Sequence, residues 1–163
     1  ASGCAPMVKD YGRLLAHDPA YAAKAARVSE LAKDLSEVIA NEKLHERLNP
    51  VTGNRKIAFH SPCTLQHAQA LNGVVEDLLM KSGYELLPVA DSHLCCGSAG
   101  TYSILQPALA TELRDNKLTA LQANTPELIA TANIGCLTHL AGHARVPVKH
   151  WIELLEPLLP EAS

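Results

Sequence analysis

The sequence predicts an α/β fold, a mostly parallel sheet flanked by helices and preceded by a helical extension, on three observations. From residue 55 onward, short apolar runs alternate with stretches of helical periodicity in strand, helix, strand, helix order. Three of those runs lead into loops that carry cysteine. Before residue 55 no such run occurs, and a single apolar stripe recurs at three- and four-residue steps. The predicted division is therefore 1–54 and 55–163.

The first long element is announced by Asp18 and Pro19, which read as N-cap and first helical residue. Val28, Leu31, Leu35, Val38 and Ile39 then place apolar side chains on one side of a helix over 19–44, until Asn49-Pro50 and Gly53-Asn54 break the chain. Lys56-Ile57-Ala58-Phe59-His60 predicts a strand feeding Ser61-Pro62-Cys63. Leu65, Ala68, Leu71, Val75 and Leu78 predict the next helix, with Gly83 as its C-cap, and 84–89 predicts a second strand. The following segment, 91–100, is too rich in Gly and Ser to be the middle of an element, and it holds Cys95 and Cys96. Leu109, Leu113, Leu118 and Leu121 sketch a further helix, 126–131 a third strand running toward Ile134-Gly135-Cys136, and Val146-Pro147-Val148 a short extended segment. Trp151, Ile152, Leu154, Leu155 and Leu158 predict a final amphipathic helix. In parallel sheets, ligands bind beyond the carboxyl ends of the strands.

Composition narrows the function. At 163 residues the chain is long enough for one core and too short for two, and with 47% apolar residues but one Phe and one Trp that core is aliphatic. The net charge of −3 supplies no broad positive field, which excludes nucleic acid as an expected partner. Five cysteines, two of them adjacent, fit reduced thiols in the cytoplasm better than a secreted framework of bridges. No apolar run reaches bilayer length, and ASGCAPMVKDY has neither the basic start nor the apolar core of a signal peptide.

Cys63 precedes the adjacent pair Cys95 and Cys96 by 31 intervening residues, and Cys136 follows after 39 more. All stand at strand exits, which a parallel sheet brings to one edge about 5 Å apart per neighbouring strand, so distant cysteines can meet. His139, three residues after Cys136, is a candidate fifth ligand. Soft thiolates with at most one imidazole select zinc or an iron–sulfur cluster over hard cations. Adjacent cysteines crowd a single tetrahedral ion and are easier to place on different atoms of a multinuclear cluster, with Gly97 and Gly100 relieving the backbone. His60 and His93 are candidates to support the sulfurs from behind, whereas His45, His67, His143 and His150 have no comparable argument. The bland alternative is a set of buried thiols on a core-facing edge. A reactive nucleophile at Cys95 or Cys96, near His93, is the enzymatic alternative. No C-x-x-C pair, dinucleotide or phosphate-loop glycine pattern, or H-E-x-x-H occurs.

The run Asp91-Ser92-His93-Leu94-Cys95-Cys96-Gly97-Ser98-Ala99-Gly100-Thr101-Tyr102, then Arg114-Asp115-Asn116-Lys117 and Ala132-Asn133-Ile134-Gly135-Cys136-Leu137-Thr138-His139-Leu140, resembles the cysteine-rich CCG domain family. That group includes the iron–sulfur subunits of bacterial glycolate oxidases, to whose C-terminal half the likeness is greatest, the heterodisulfide reductase B subunits and the lactate-utilisation proteins. Its pattern is a cysteine, a Cys-Cys-Gly and a terminal Cys-x-x-Cys. Cys63, Cys95, Cys96 and Cys136 match it, and His139 stands where many members have the last cysteine. The resemblance implies a Rossmann-like CCG domain holding a 4Fe-4S cluster, non-cubane in relatives with the full cysteine set, with zinc as the alternative assigned in other members. It implies an electron-transfer module of a glycolate dehydrogenase complex, non-catalytic in itself. Flavin-containing subunits oxidise the 2-hydroxy acid, and electrons pass toward quinone at the cytoplasmic face of the inner membrane. The rival implications are a zinc-stabilised structural or docking domain and a disulfide-reducing enzyme. Ala1-Ser2-Gly3-Cys4-Ala5-Pro6-Met7 resembles the end of a preceding CCG repeat, Gly3-Cys4 answering Gly135-Cys136 and Met7 answering His139, which makes 1–54 the tail of that repeat and its connecting helix.

Overall fold

The computed structural model describes residues 2–160, so Ala1 of the repeat-like N-terminal stretch lies outside the described residues. The chain begins with four helices, α1 (Ala5–Lys9), α2 (Tyr11–Leu14), α3 (Ala22–Leu31) and α4 (Leu35–Asn41), before any strand. The single helix predicted over 19–44 is thus interrupted. Ala32 leaves the helical region, and Asp34 starts a new helix by accepting from Ser36 N (3.0 Å) while Glu37 reaches back to the Asp34 amide (2.7 Å). This reciprocal cap satisfies amides that the helix start would orphan, which makes a break at this point favourable. Asp18 does accept from the amides of Ala20 and Tyr21, but it closes a turn and α3 begins after it.

Four strands follow: β1 (Lys56–His60), β2 (Glu85–Leu86), β3 (Leu128–Thr131) and β4 (Val148–His150). They form one sheet in the order β2-β1-β3-β4, every pair parallel. The expectation of a mostly parallel sheet flanked by helices needs correction, because strand accounts for 9% of the described residues and helix for 50%. The molecule is an α/β domain in which a small four-stranded parallel sheet is outweighed by helix. The strands are short for local reasons. Pro88 lies just beyond β2 and Pro147 just before β4, and neither can donate to a ladder.

Between β1 and β2 the predicted helix divides into a π-helical turn (Thr64–Ala68) and α5 (Val74–Lys81), because Ala70 and Gly73 adopt left-handed φ values of 55° and 79°. Gly83, at φ 94°, ends α5 as predicted, its amide and that of Tyr84 turning back to Met80 and Leu79. Short α6 (Tyr102–Leu105) and long α7 (Pro107–Gln122) precede β3, and α8 (Ile134–Ala141) follows it. The predicted last helix is two 3-10 turns, Trp151–Leu154 and Glu156–Leu158, with Pro157 in the second.

Side-chain alternation along the strands separates two apolar layers. Ile57, Phe59, Leu128 and Ala130 pack with Val75, Leu78, Leu79, Trp151 and Leu154 on one face. Ala58 and Ile129 pack with Leu118, Leu121 and Leu140 on the other, and Cys96 and Cys136 belong to that second layer. Counting by twos from Ala58 and Ile129 places His60 and Thr131, which are register partners, at the carboxyl end of the same face.

Near β2, the half-buried Glu76 keeps Oε2 without a hydrogen-bond partner, and burial pushes its carboxyl up, against the amides of Glu76 and Gly73 that pull it down. A carboxyl raised by folding costs the folded state once it ionises, so this penalty is absent below the unfolded value and grows as pH rises through the folded one. Glu76→Gln is therefore expected to stabilise the protein at pH 7 by about 0.5–1 kcal/mol and to have no effect near pH 3, read from urea midpoints at the two pH values.

Candidate metal centre

The chain leaves β1 for one edge of the sheet and β3 for the other, so the crevice beyond their adjacent carboxyl ends is a topological switch point. The cysteines reach it from three loops. Ser61-Pro62 turns the chain out of β1, and the Pro62 carbonyl accepts from Leu65 and Gln66 to start the π-helical turn that Cys63 caps. Such turns concentrate at functional sites. Gln66 then donates Nε2 to the carbonyls of Ser61 (2.5 Å) and Ser92 (3.3 Å), tying the Cys63 loop to the one that carries Cys95 and Cys96. Cys136 arrives in the first turn of α8, where Asn133 accepts from the amides of Gly135 (2.8 Å) and Cys136 (3.4 Å) and donates to Thr64 Oγ1 (3.2 Å).

His60, Cys96 and Cys136 are buried, and their ligand atoms lie within 4.8 Å of one another. Cys95 is half-buried and its thiol stands beside those of both Cys96 and Cys63, the latter on the exposed side. Ser98 links the inner pair, its hydroxyl 3.4 Å from Cys96 Sγ and 3.9 Å from Cys136 Sγ, and Gly97 N donates to Cys95 Sγ at 3.3 Å. The neighbouring Cys96 thiol and burial push Cys95 up, and burial followed by Cys95 pushes Cys63 up. That is the reverse of an activated nucleophile, which needs a lowered thiol pKa. A reactive Cys95 therefore has no electrostatic support, and Cys96 is only 1% exposed and closed to a substrate.

Buried polar groups normally find partners, and leaving one without costs about 1–3 kcal/mol. Both ring nitrogens of His60, Ser61 Oγ and Thr131 Oγ1 lack any partner within the protein, and all belong to the ends of β1 and β3. Together with four sulfurs, this concentration of unsatisfied donors and acceptors fits a thiophilic metal centre and fits an apolar core poorly.

The remaining sequence candidates fall around this group. His139, half-buried on α8, approaches the Ala110 carbonyl with Nε2 at 3.3 Å. It lines an open cleft of about 500 Å³ with Ser98, Arg114, Gly135, Thr138 and His143. His93 is exposed, and Gly97 packs against α7. Sequence reasoning placed His60 only as a supporting residue and gave no role to Lys117. The latter is 1% exposed and donates Nζ to the carbonyls of Asp91 (3.1 Å) and Ser92 (2.8 Å). Burial pulls its ammonium down, whereas Cys96, Asp91, Cys95 and Cys136 hold it up.

A parallel α/β core with cysteines converging on its switch point defines a cysteine-rich metal-site domain. The family model described as a cysteine-rich domain, CCG, matches residues 57–141, and the chain belongs to that CCG family. The glycolate oxidase iron-sulfur subunit of Escherichia coli strain K12 is 57% identical over 98% of this chain and 39% of its own length. Lactate utilization protein A of Shouchella clausii is 26% identical over 95% of this chain and 67% of its own, and the probable glycolate oxidase iron-sulfur subunit of Bacillus subtilis 29% over 86% and 32%. The chain thus spans well under two thirds of the glycolate oxidase subunits that it matches. Among the described residues no helix is long and apolar enough to cross a membrane.

Proposed function

We propose that this chain is the iron–sulfur electron-transfer part of a glycolate dehydrogenase complex, relaying electrons from flavin-containing subunits toward quinone. The observation that supports it most is the meeting of cysteines from three strand-exit loops with an unpartnered buried imidazole, in a chain so similar to a glycolate oxidase iron-sulfur subunit. Cys63, Cys95, Cys96 and Cys136 would hold a 4Fe-4S cluster, with His60 facing it from β1. Such a cluster supplies one-electron capacity at a potential set by charge, hydrogen bonds and exposure. The protein's own part is to bring the sulfurs together, to hold Cys96 and Cys136 away from water and to leave Cys63 at the surface, where an electron can enter or leave. Substrate oxidation belongs to the flavin partners in this reading, and contact with the cytoplasmic membrane face is made through them. The start of the described chain touches the same module, as Ser2 donates to the Ala132 carbonyl (2.9 Å) just beyond β3.

One observation favours a second reading: His60, Cys96 and Cys136 alone are a compact set of one imidazole and two thiols, which suits zinc. Anaerobic reconstitution followed by metal and sulfide analysis separates the two. About four irons and four sulfides per chain are expected, and one zinc without sulfide would overturn the electron-transfer reading in favour of a structural site.

The two histidines divide in the same assay. His60→Ala is expected to lower metal retention about 10- to 100-fold, since it removes an imidazole within reach of two sulfurs. His139→Ala, whose ring nitrogen is turned to the Ala110 carbonyl, is expected to change retention less than about threefold. The reverse order would make His139 the nitrogen ligand.

A further inference from the structure

Lys117 is a buried cation without a carboxylate partner. It occupies the buried side of α7 in line with Ala110, Leu118 and Leu121, a stripe that otherwise reads as core. Among the described residues no ion pair includes it. Its two carbonyl acceptors satisfy N–H donors without cancelling charge. An ammonium taken out of water requires a counter-charge, and the acidic groups within electrostatic reach are Asp91 and the thiols of Cys96, Cys95 and Cys136, which become anionic only as metal ligands. Asp91 is exposed, so the buried counter-charge available is sulfur.

We propose that Lys117 is the counter-cation of the cysteine centre. Its positive charge offsets the negative charge that Cys95, Cys96 and Cys136 carry once they bind metal as thiolates, and its bonds to Asp91 and Ser92 fix the approach of the 95–96 pair. It acts through the ligands and is a positioning residue. The assignment rests on the metal-centre reading of the preceding section and adds the group that sets the centre's charge balance.

Three variants separate charge from shape. Lys117→Met removes the charge and both hydrogen bonds, Lys117→Gln removes the charge while keeping an N–H donor, and Lys117→Arg keeps the charge. In anaerobically reconstituted protein, a dye-mediated redox titration is expected to give a midpoint potential shifted to more negative values in Met and Gln, because an added electron enters a centre that has lost its nearby cation. Arg is expected to stay close to the parent chain. Met or Gln variants that load fully with iron and keep the parent potential would overturn the proposal. Where Met and Gln fail to retain iron, normal loading of Arg supports it and equal loss in Arg overturns it. If the parent chain takes zinc and no sulfide, the electron-transfer reading fails separately. The counter-charge is then read as zinc affinity, which should fall about 10- to 100-fold in Met and Gln, remain in Arg, and overturn the assignment if unchanged in all three.

Discussion

Cys96→Ser and Cys136→Ser should each strip the centre, dropping iron in the reconstituted protein from about four atoms per chain to below about one, with loss of the visible absorption band. Both sulfurs are buried, 1% and 4% exposed, and each lies within 4.8 Å of the other and of a His60 nitrogen. A serine oxygen in either place is harder, sits closer to its own backbone, and does not deprotonate near neutral pH, so it fails as a soft anionic ligand. The fold should persist. The apolar layer on the far side of the sheet, from Ile57 to Trp151, shares no residue with the centre, and circular dichroism of the variants should match that of the parent. Cys4→Ser supplies the contrast: the thiol is exposed and outside the His60 group, and its loss should leave iron unchanged. Iron and sulfide analysis of the three variants decides the point, and full loading of Cys136→Ser would remove Cys136 from the ligand set.

The strands were readable where the chain carries a short, continuous apolar run. Residues 56–60 were predicted to form β1 and do, and the third run contains β3, because their faces are buried on both sides and bounded by polar loops. The placing of Cys63, Cys95, Cys96 and Cys136 at strand exits followed from that, since a parallel sheet leaves those exits at one edge. What failed was continuity. An apolar stripe at helical spacing runs through 19–44, yet the side chain of Asp34 and a reciprocal Glu37 favour restarting a helix over continuing one. At 69–73 the positive φ of Ala70 leaves no trace in residue type. The sheet was overestimated for a related reason: Tyr84 through Val89 has strand composition, but only Glu85 and Leu86 find a neighbour to pair with.

His60 and Lys117 were missed as central residues for different reasons. Parity along β1 assigns His60 to the face of Ala58, and that signal was present in the sequence, but the partner layer on that face was not known to contain Cys96 and Cys136. Lys117 interrupts an apolar stripe on α7, a mark that normally means a stem lying across the surface with its head in water. Only the position of the 91–92 carbonyls shows that this ammonium stays inside.

Gly97→Ala is expected to destabilise the protein by about 2–5 kcal/mol and to lower iron loading with it. The glycine follows the adjacent cysteines at φ 87°, a conformation that a Cβ disfavours by about 1–3 kcal/mol. Contact adds to this. A Cβ there would stand 2.5 Å from the Ala110 carbonyl oxygen and 3.1 Å from Leu113 Cβ, and the first of these is helix backbone that cannot swing aside. Relief requires the 95–98 loop to lift away from α7, which moves both Cys95 and Cys96 and breaks the bond from Gly97 N to Cys95 Sγ. Gly53→Ala isolates the conformational part, since Gly53 has φ 82° and open space where the Cβ would go. Urea unfolding of both variants should therefore show the larger loss at residue 97, by about 1–3 kcal/mol. Only that variant should lose iron. Equal destabilisation would mean that the close approach of the loop to α7 is dispensable, and that the cysteines are held by the metal and not by the fold.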